Sequence, residues 1–404
     1  MTLPTGSSQA PFTLSVLIND QRYRGYTFQF IALLLLIFTM AYLGWNLTQN
    51  LAAKGLNISY QFLQVPAGYD INQRLIEYNS QSTHLRASIV GVLNTLLVAF
   101  LGCITATVVG VLAGILRLSN NWIVAKLMAV YVEIFRNVPV LIWILIISGI
   151  FIVALPQPRS FRGENPEASM LWDAFAFTGR GIYAPKPIFY EGSTFVIGAF
   201  ILSLVAIFFY RRYARKKLYD DGILLPMRWP SIAIIFVPAL LVYFVMGSPI
   251  GLEYPVLKGF NFKGGVSLKP EYLALWLALS YYTACFIAEI VRGGILAIHK
   301  GQREAAYALG LTPNRTLQLA IIPQALPLII PPLTSNYLNL TKNSSLAVAI
   351  GYFDIVATIG TISLMQTGKE VETMVIVLSI YLCLSLIISG AMNLLNYRLK
   401  IKVR

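Results

Sequence analysis

Charge is scarce in this 404-residue chain: 12% of residues are Asp, Glu, Lys or Arg, against about 25% in an average soluble chain. Histidine is nearly absent, with only His84 and His299, and the three cysteines, Cys103, Cys285 and Cys383, each sit inside an apolar run. An odd, scattered set of cysteines gives no disulfide framework, and isolated histidines give no metal site. Clustered His, Cys or paired carboxylates of a reaction centre are missing, so no catalytic residue is assigned. A phosphate-cradling Gly-x-x-x-x-Gly-Lys-Ser/Thr loop is missing too: Gly368-Lys369 is followed by Glu370. The chain therefore has no P-loop means of holding ATP.

What it has is apolar residues, 57% of the total. The length alone would permit two or three soluble domains, but apolar surface on that scale needs lipid. The formal net charge of +14 would suit a nucleic-acid surface, yet the cations stand in short clusters beside apolar runs. Arg211, Arg212, Arg215, Lys216 and Lys217 are the densest. That placement argues against nucleic acid and for a membrane surface.

A bilayer core takes about 20 apolar residues per helix. Runs of suitable length occur at 28–48, 87–116, 122–155, 193–210, 230–248, 270–291, 320–350 and 373–396. None shows strand alternation, and a lipid-exposed backbone must be helical or closed into a barrel. The expected fold class is all-α, a polytopic transmembrane protein of about eight spans. The first run follows Arg22 and Arg24. It is too long for a secretion-signal core and lacks a small-x-small cleavage pattern, so it reads as a retained span.

With the N-terminus inside, the inside loops 1–27, 117–121, 211–229, 292–319 and 397–404, with Lys126, hold eighteen lysines and arginines. The longer outside segments hold eleven. Basic loops face the cytoplasm, so both termini are expected there. Two outside segments, 49–86 and 156–192, are long enough to serve as docking surface or as passive connectors.

The segment 296–325 carries the strongest local pattern. Glu304 to Leu309 are helix formers, and Gly310 is placed as the C′ residue that stops a helix. Thr312 then Pro313 gives an N-cap followed by proline at N1, so a second helix begins at once. Two short helices joined by a tight turn are expected on the cytoplasmic side.

This stretch resembles the EAA motif of ABC-importer permeases: Glu304, Ala305, Ala306, Gly310, Ile322 and Pro323 stand at the motif's positions. Ala320 and Ile322 replace the family's usual isoleucine and leucine. Other segments are similar to the polar amino-acid uptake permeases of the histidine/glutamine/glutamate type. They are Gly91 to Leu97, Tyr131 to Pro139, Ala288-Glu289-Ile-Val-Arg292-Gly-Gly-Ile, and Lys342-Asn-Ser-Ser-Leu-Ala. The length, with an extra first span and a large insertion, is similar to general L-amino-acid permeases.

The resemblance implies a type I ABC-importer permease core of five helices, at 87–116, 122–155, 270–291, 320–350 and 373–396. It divides the chain into a 1–86 N-terminal segment with the first span, 87–155 as the first part of the core, and 156–269 as an insertion with two extra spans. Residues 270–396 would be the second core part with its coupling loop, and 397–404 a basic tail. It implies a bacterial inner-membrane subunit that imports amino acids without catalysing hydrolysis itself. ATP and Mg would belong to a separate cytoplasmic ATPase, seated on Glu304, Ala305, Ala306, Gly310 and Pro323. The further partners implied are a second, homologous permease, an external binding protein and membrane lipid.

Ionisable groups inside spans are costly and face a cavity or a partner. Lys342 lies among Asn336, Asn339, Thr341, Asn343, Ser344 and Ser345, downstream of Pro323, Pro327, Pro331 and Pro332. The prolines predict a broken helix, whose freed backbone groups can line a site. The candidate path is Asn339, Lys342, Asn343 and Ser345 with Tyr281, Thr283 and Glu289. Lys342 could instead pair with Glu289 or Asp354, or snorkel to the interface. Glu133 and Arg136, three residues apart, are expected to form an intrahelical ion pair of structural or gating use. An ion-gradient-driven secondary transporter is the alternative reading, since such proteins also use broken helices.

Overall fold

The computed structural model describes residues 18–399 apart from 19, 54, 56, 164 and 165. The N-terminal residues before these and the basic tail residues Lys400, Lys402 and Arg404 lie outside the described residues. Among the described residues, eight helices are long and apolar enough to cross a bilayer. Residues up to Gln61 form one unit and residues from Phe62 form another.

Among the described residues, the first unit contains one long helix, α1 (Gln21–Ala53). Its threonine hydroxyls are returned to the backbone: Thr39 Oγ1 donates to the Leu35 carbonyl at 2.7 Å and Thr48 Oγ1 to the Trp45 carbonyl at 2.7 Å. A helix in lipid has to satisfy its polar groups in this way.

The second unit is centred on α7 (Pro270–Leu296), the most buried span, packed against α2 (His84–Leu116), α4 (Val140–Ala154) and α9 (Pro313–Ile350). Two glycines allow α2 to approach α7 closely. A Cβ on Gly110 would lie 2.6 Å from Ile287 Cβ, and one on Gly114 would lie 2.7 Å from the Ala288 carbonyl oxygen. Small residues replace a hydrophobic driving force in helix packing inside a bilayer.

The run 122–155, expected as one span, is two helices. Asn121 Oδ1 accepts from the Ile123 and Val124 amides to start α3 (Trp122–Asn137), and α4 begins after Pro139. Proline drives its preceding residue out of the helical region, and Val138 is extended (φ −111°, ψ 130°). The Phe135 and Trp143 rings stack across the break with centroids 4.1 Å apart.

Residues between α4 and α7 form a strand-rich excursion around the hairpin of α5 (Ser193–Asp220) and α6 (Arg228–Val245). Strands β1 (Ala176–Thr178) and β2 (Gly181–Ala184) pair antiparallel with β7 (Val266–Leu268) in the order β1-β2-β7. Strand β3 (Lys186–Phe189) pairs with β4 (Ile250–Glu253), and β5 (Val256–Lys258) with β6 (Asn261–Lys263). The chain before α5 and the chain after α6 thus fold together, with Ile182 opposite Leu268 and Lys186 opposite Glu253. Tyr183, Phe262 and Ala176 are its buried centre.

A further helix, α10, lies between the last two spans. It runs as a π-helix through Val356–Ser363 and as a final α turn through Leu364–Thr367, before α11 (Glu370–Leu399). The buried Asp354 carboxylate starts it, accepting from the Ala357 amide at 2.8 Å and from the Tyr381 hydroxyl at 3.2 Å. The segment 62–83 packs over this end of the unit. Asn94 Nδ2 donates to the carbonyls of Gln73 (2.7 Å) and Phe353 (2.8 Å), and His84 Nδ1 meets Ser363 Oγ at 2.7 Å. Burial raises the pKa of the Tyr69 phenol, keeping it protonated beside Ser363.

Candidate transport path and coupling loop

The loop after α7 folds as two helices around a tight turn. Helix α8 (Lys300–Ala308) is capped by His299, whose Nδ1 accepts from the Gly301 amide at 3.1 Å. Gly310 has φ +76°, its amide donates to the Tyr307 carbonyl, and Leu311 donates to Ala306. These paired bonds are a Schellman stop. Thr312 precedes Pro313 with an extended backbone, although its hydroxyl makes no capping bond.

Glu304, Ala305, Ala308 and Leu309 are exposed, as are Gly310 and Pro323, whereas Ala306 is buried. The motif's two alanines therefore do different work: Ala305 faces outward and Ala306 packs against the bundle. Gln324 Nε2 donates to Gln302 Oε1 at 3.2 Å, tying α8 to α9. Beneath α8 lies a recess of about 370 Å³, lined among others by Leu118, Ile295, Arg303, Tyr307 and Leu317.

The proline-rich span is not broken. Helix α9 passes through Pro327, Pro331 and Pro332 without interruption, correcting the expected break. The hydrogen-bond pattern changes near its ends instead, to a π turn at Leu317–Ile321 and a 3₁₀ stretch at Ser344–Ile350. The Ile322 amide bonds to the Leu317 carbonyl, five residues back, just before Pro323. Each proline removes only one donor, and the rest of the helical ladder carries the span through.

Asn336, Asn339 and Asn343 fall on one face of α9 and, with Tyr282, Thr283 and Phe286 of α7, line an open recess of about 260 Å³. Of the candidate path residues, Thr283, Asn339 and Asn343 come together there. Lys342, Ser345, Tyr281 and Glu289 do not line it. Lys342 is exposed and makes no ion pair among the described residues, while the Ser345 hydroxyl is spent on the Lys342 carbonyl at 2.8 Å. The Tyr281 carbonyl accepts from the Tyr131 hydroxyl at 2.6 Å.

Glu289 has a different position, toward the C-terminal end of α7 that leads to α8. Its carboxylate accepts a hydrogen bond from Arg117, the residue that caps α2, and another from Arg292 Nε at 3.3 Å. Arg136 of α3 approaches it at 3.8 Å. The expected Glu133–Arg136 pair is not formed: Arg136 turns to Glu289 and lies over the Phe286 ring. Three residues apart on a helix permits a pair but does not compel one when another acid is closer. The i, i+3 spacing of Glu289 and Arg292 could have revealed half of this cluster. Arg117 is 172 residues from Glu289, and no local signal joins them.

The fold and the loop can be set beside known proteins. Residues 222–401 match the family model described as binding-protein-dependent transport system inner membrane component. The chain is 46% identical to the glutamate/glutamine/aspartate/asparagine transport system permease protein BztB of Rhodobacter capsulatus, covering 100% of both chains. It is 45% identical to the general L-amino acid transport system permease protein AapQ of Rhizobium johnstonii, covering 95% of this chain and 94% of that one. A crystal structure of an amino acid ABC transporter with histidines overlays with a TM-score of 0.44 at 19% identity, covering 78% of this chain and 95% of that one. With relatives of that identity matched end to end, the chain belongs to the binding-protein-dependent transport system inner membrane components, among the amino-acid permeases of ABC importers.

Proposed function

We propose that this permease carries polar or broad-range L-amino acids into the cytoplasm of a bacterium through its inner membrane, by alternating access driven by a separate ATPase dimer. The relatives named for glutamate, glutamine, aspartate and asparagine, and for general L-amino acids, support the substrate class. The observation that carries the coupling role is the stopped helix pair at Lys300–Ala308 and Pro313, which presents Glu304, Ala305 and Leu309 to solvent. That is the shape a groove on another protein can grip, with Gly310 setting the turn and Pro323 opening the long helix behind it.

In this reading, both termini and the coupling loop are cytoplasmic. ATP and Mg sit on the partner ATPase. An external binding protein delivers substrate to the opposite side, where the strand-rich excursion stands at the other end of α7. A second, homologous permease completes the pathway opposite the exposed face of α9. The domain division is the one the sequence suggests: a permease core of 87–155 and 270–396, interrupted by the 156–269 insertion. The recess of Thr283, Asn336, Asn339 and Asn343 is the half-site for substrate, since neutral amides can meet both ends of a zwitterion without holding it tightly.

Uptake of labelled L-glutamine into proteoliposomes, with the ATPase present or omitted, tests this. Uptake only with the ATPase and ATP is expected. Uptake driven by an ion gradient through the permease alone would refute it. Replacing Glu304 by Lys should separate ATP hydrolysis from uptake or weaken ATPase binding, and full transport in that variant would remove the coupling assignment.

A further inference from the structure

Around Glu289, three guanidiniums face one carboxylate. Two of them are committed. Arg117 is 13% exposed and hydrogen-bonded to Glu289, and Arg292 bonds the second carboxylate oxygen at 3.3 Å. Arg136 is held differently. It is 46% exposed, its nearest approach to Glu289 is 3.8 Å, and it makes no hydrogen bond among the described residues. A separation of that size is an ion pair without a hydrogen bond. The nearby acid of its own helix, Glu133, is exposed and forms no ion pair among the described residues. The cluster therefore carries more positive charge than it neutralises.

The position of that surplus matters. The Arg136 guanidinium carbon lies 5.5 Å from the centroid of the Phe286 ring, and Phe286 lines the recess with Asn336, Asn339 and Asn343. One aromatic ring thus separates a loosely held arginine fork from the polar recess. A guanidinium offers five N–H donors in a plane that matches a carboxylate in two-point contact. Because Glu289 keeps Arg117 and Arg292 when Arg136 moves, Arg136 can turn toward the recess without leaving a bare buried carboxylate.

We propose that Arg136 binds the carboxylate of the amino acid as it passes the recess toward the coupling-loop end, with Phe286 carrying the guanidinium over the rim. This rests on the amino-acid import reading above and adds to it a residue and a charge preference. Acidic and neutral amino acids gain from the surplus positive charge, and cationic ones are disfavoured by it.

The test uses proteoliposomes holding the complete complex with its ATPase, partner permease and binding protein. Labelled L-glutamate and L-glutamine are the probes, and ATP hydrolysis is followed in parallel. Arg136→Gln is expected to lower L-glutamate uptake by about tenfold, the scale of one charge-assisted contact, while ATP hydrolysis stays near the unaltered level. Arg136→Lys should recover part of the uptake, keeping the charge but losing the fork. Arg117→Gln, which loosens the helices themselves, should lower uptake and hydrolysis together. Unchanged glutamate uptake per ATP in Arg136→Gln, or a parallel loss of both activities, overturns the proposal. An unaltered complex that imports neither probe overturns the import reading beneath it.

Discussion

Arg117 at the end of α2 and Glu289 on α7 are hydrogen-bonded across 172 residues of sequence. The bond fixes the end of α2 to α7 two turns before the end of α7 at Leu296. Ile115 and Leu116 of α2, Ile295 of α7 and Tyr307 of α8 line one recess there. Side chains of α8 and of both spans that the ion pair holds together thus meet at one recess.

Removing one partner of this pair leaves charge without compensation. Glu289→Gln is expected to destabilise the protein by about 1–3 kcal/mol, between the values for exposed and buried pairs. The thermal-unfolding midpoint in detergent should fall accordingly. Combining it with Arg117→Gln should cost less than the two losses added together. Strict additivity would mean that the two residues do not interact in solution.

Gly310 tests the stop of α8 and, with it, the proposed coupling role. With φ +76° and nothing within 4 Å of a built Cβ, a side chain there meets conformational strain and no clash. The left-handed region costs an L-residue about 1–2 kcal/mol, but asparagine enters it readily. Gly310→Ala should therefore reduce co-purification of the ATPase, and Gly310→Asn should preserve it. Identical retention in both variants would count against a conformational role.

The close contact of α2 and α7 predicts a steric effect at Gly110. A methyl group would stand 2.6 Å from Ile287 Cβ and 2.8 Å from the Ala284 carbonyl oxygen. Gly110→Ala should cost about 1–3 kcal/mol through overpacking. Gly149 of α4 has nothing within 4 Å, so Gly149→Ala should leave the unfolding midpoint unchanged or raise it. The opposite ranking would show that the two helices do not meet as described.

Asn94, fully buried, ties the segment 62–83 to the bundle by donating one bond to the Gln73 carbonyl and another to the Phe353 carbonyl. Asn94→Leu removes both and strands two carbonyl groups, a loss of about 2–4 kcal/mol. Faster tryptic cleavage at the partly exposed Arg74 is the expected sign. A cleavage rate equal to that of the unaltered protein would show that the segment is held by other contacts.

Much of the fold is legible in the sequence because the bilayer imposes a length and a polarity on every span. The eight apolar runs correspond to the eight candidate spans, with one error of kind. The 122–155 run is interrupted near its start by Glu133 and Arg136 but is long enough overall to read as one span; Pro139 was the signal for the break. The prolines of α9 misled in the other direction. Proline is compatible with a continuous helix inside a bundle, because each one removes a single donor from the ladder. The pairings of β2 with β7 and of β3 with β4 were hidden because the partners lie on opposite sides of two intervening spans.

Solubility, span number and the helix stop at Gly310 were determined by the sequence itself, since each follows from local composition or from one backbone requirement. Which polar residues act together was decided only in three dimensions. Lys342, the most conspicuous charge in the seventh run, stands apart from the recess. Glu289 and Arg136, assigned to separate roles by spacing, meet at one cluster with Arg117 and Arg292. Electrostatic attraction acts through space between helix ends, and only the packing of α2, α3 and α7 brings those ends within its reach.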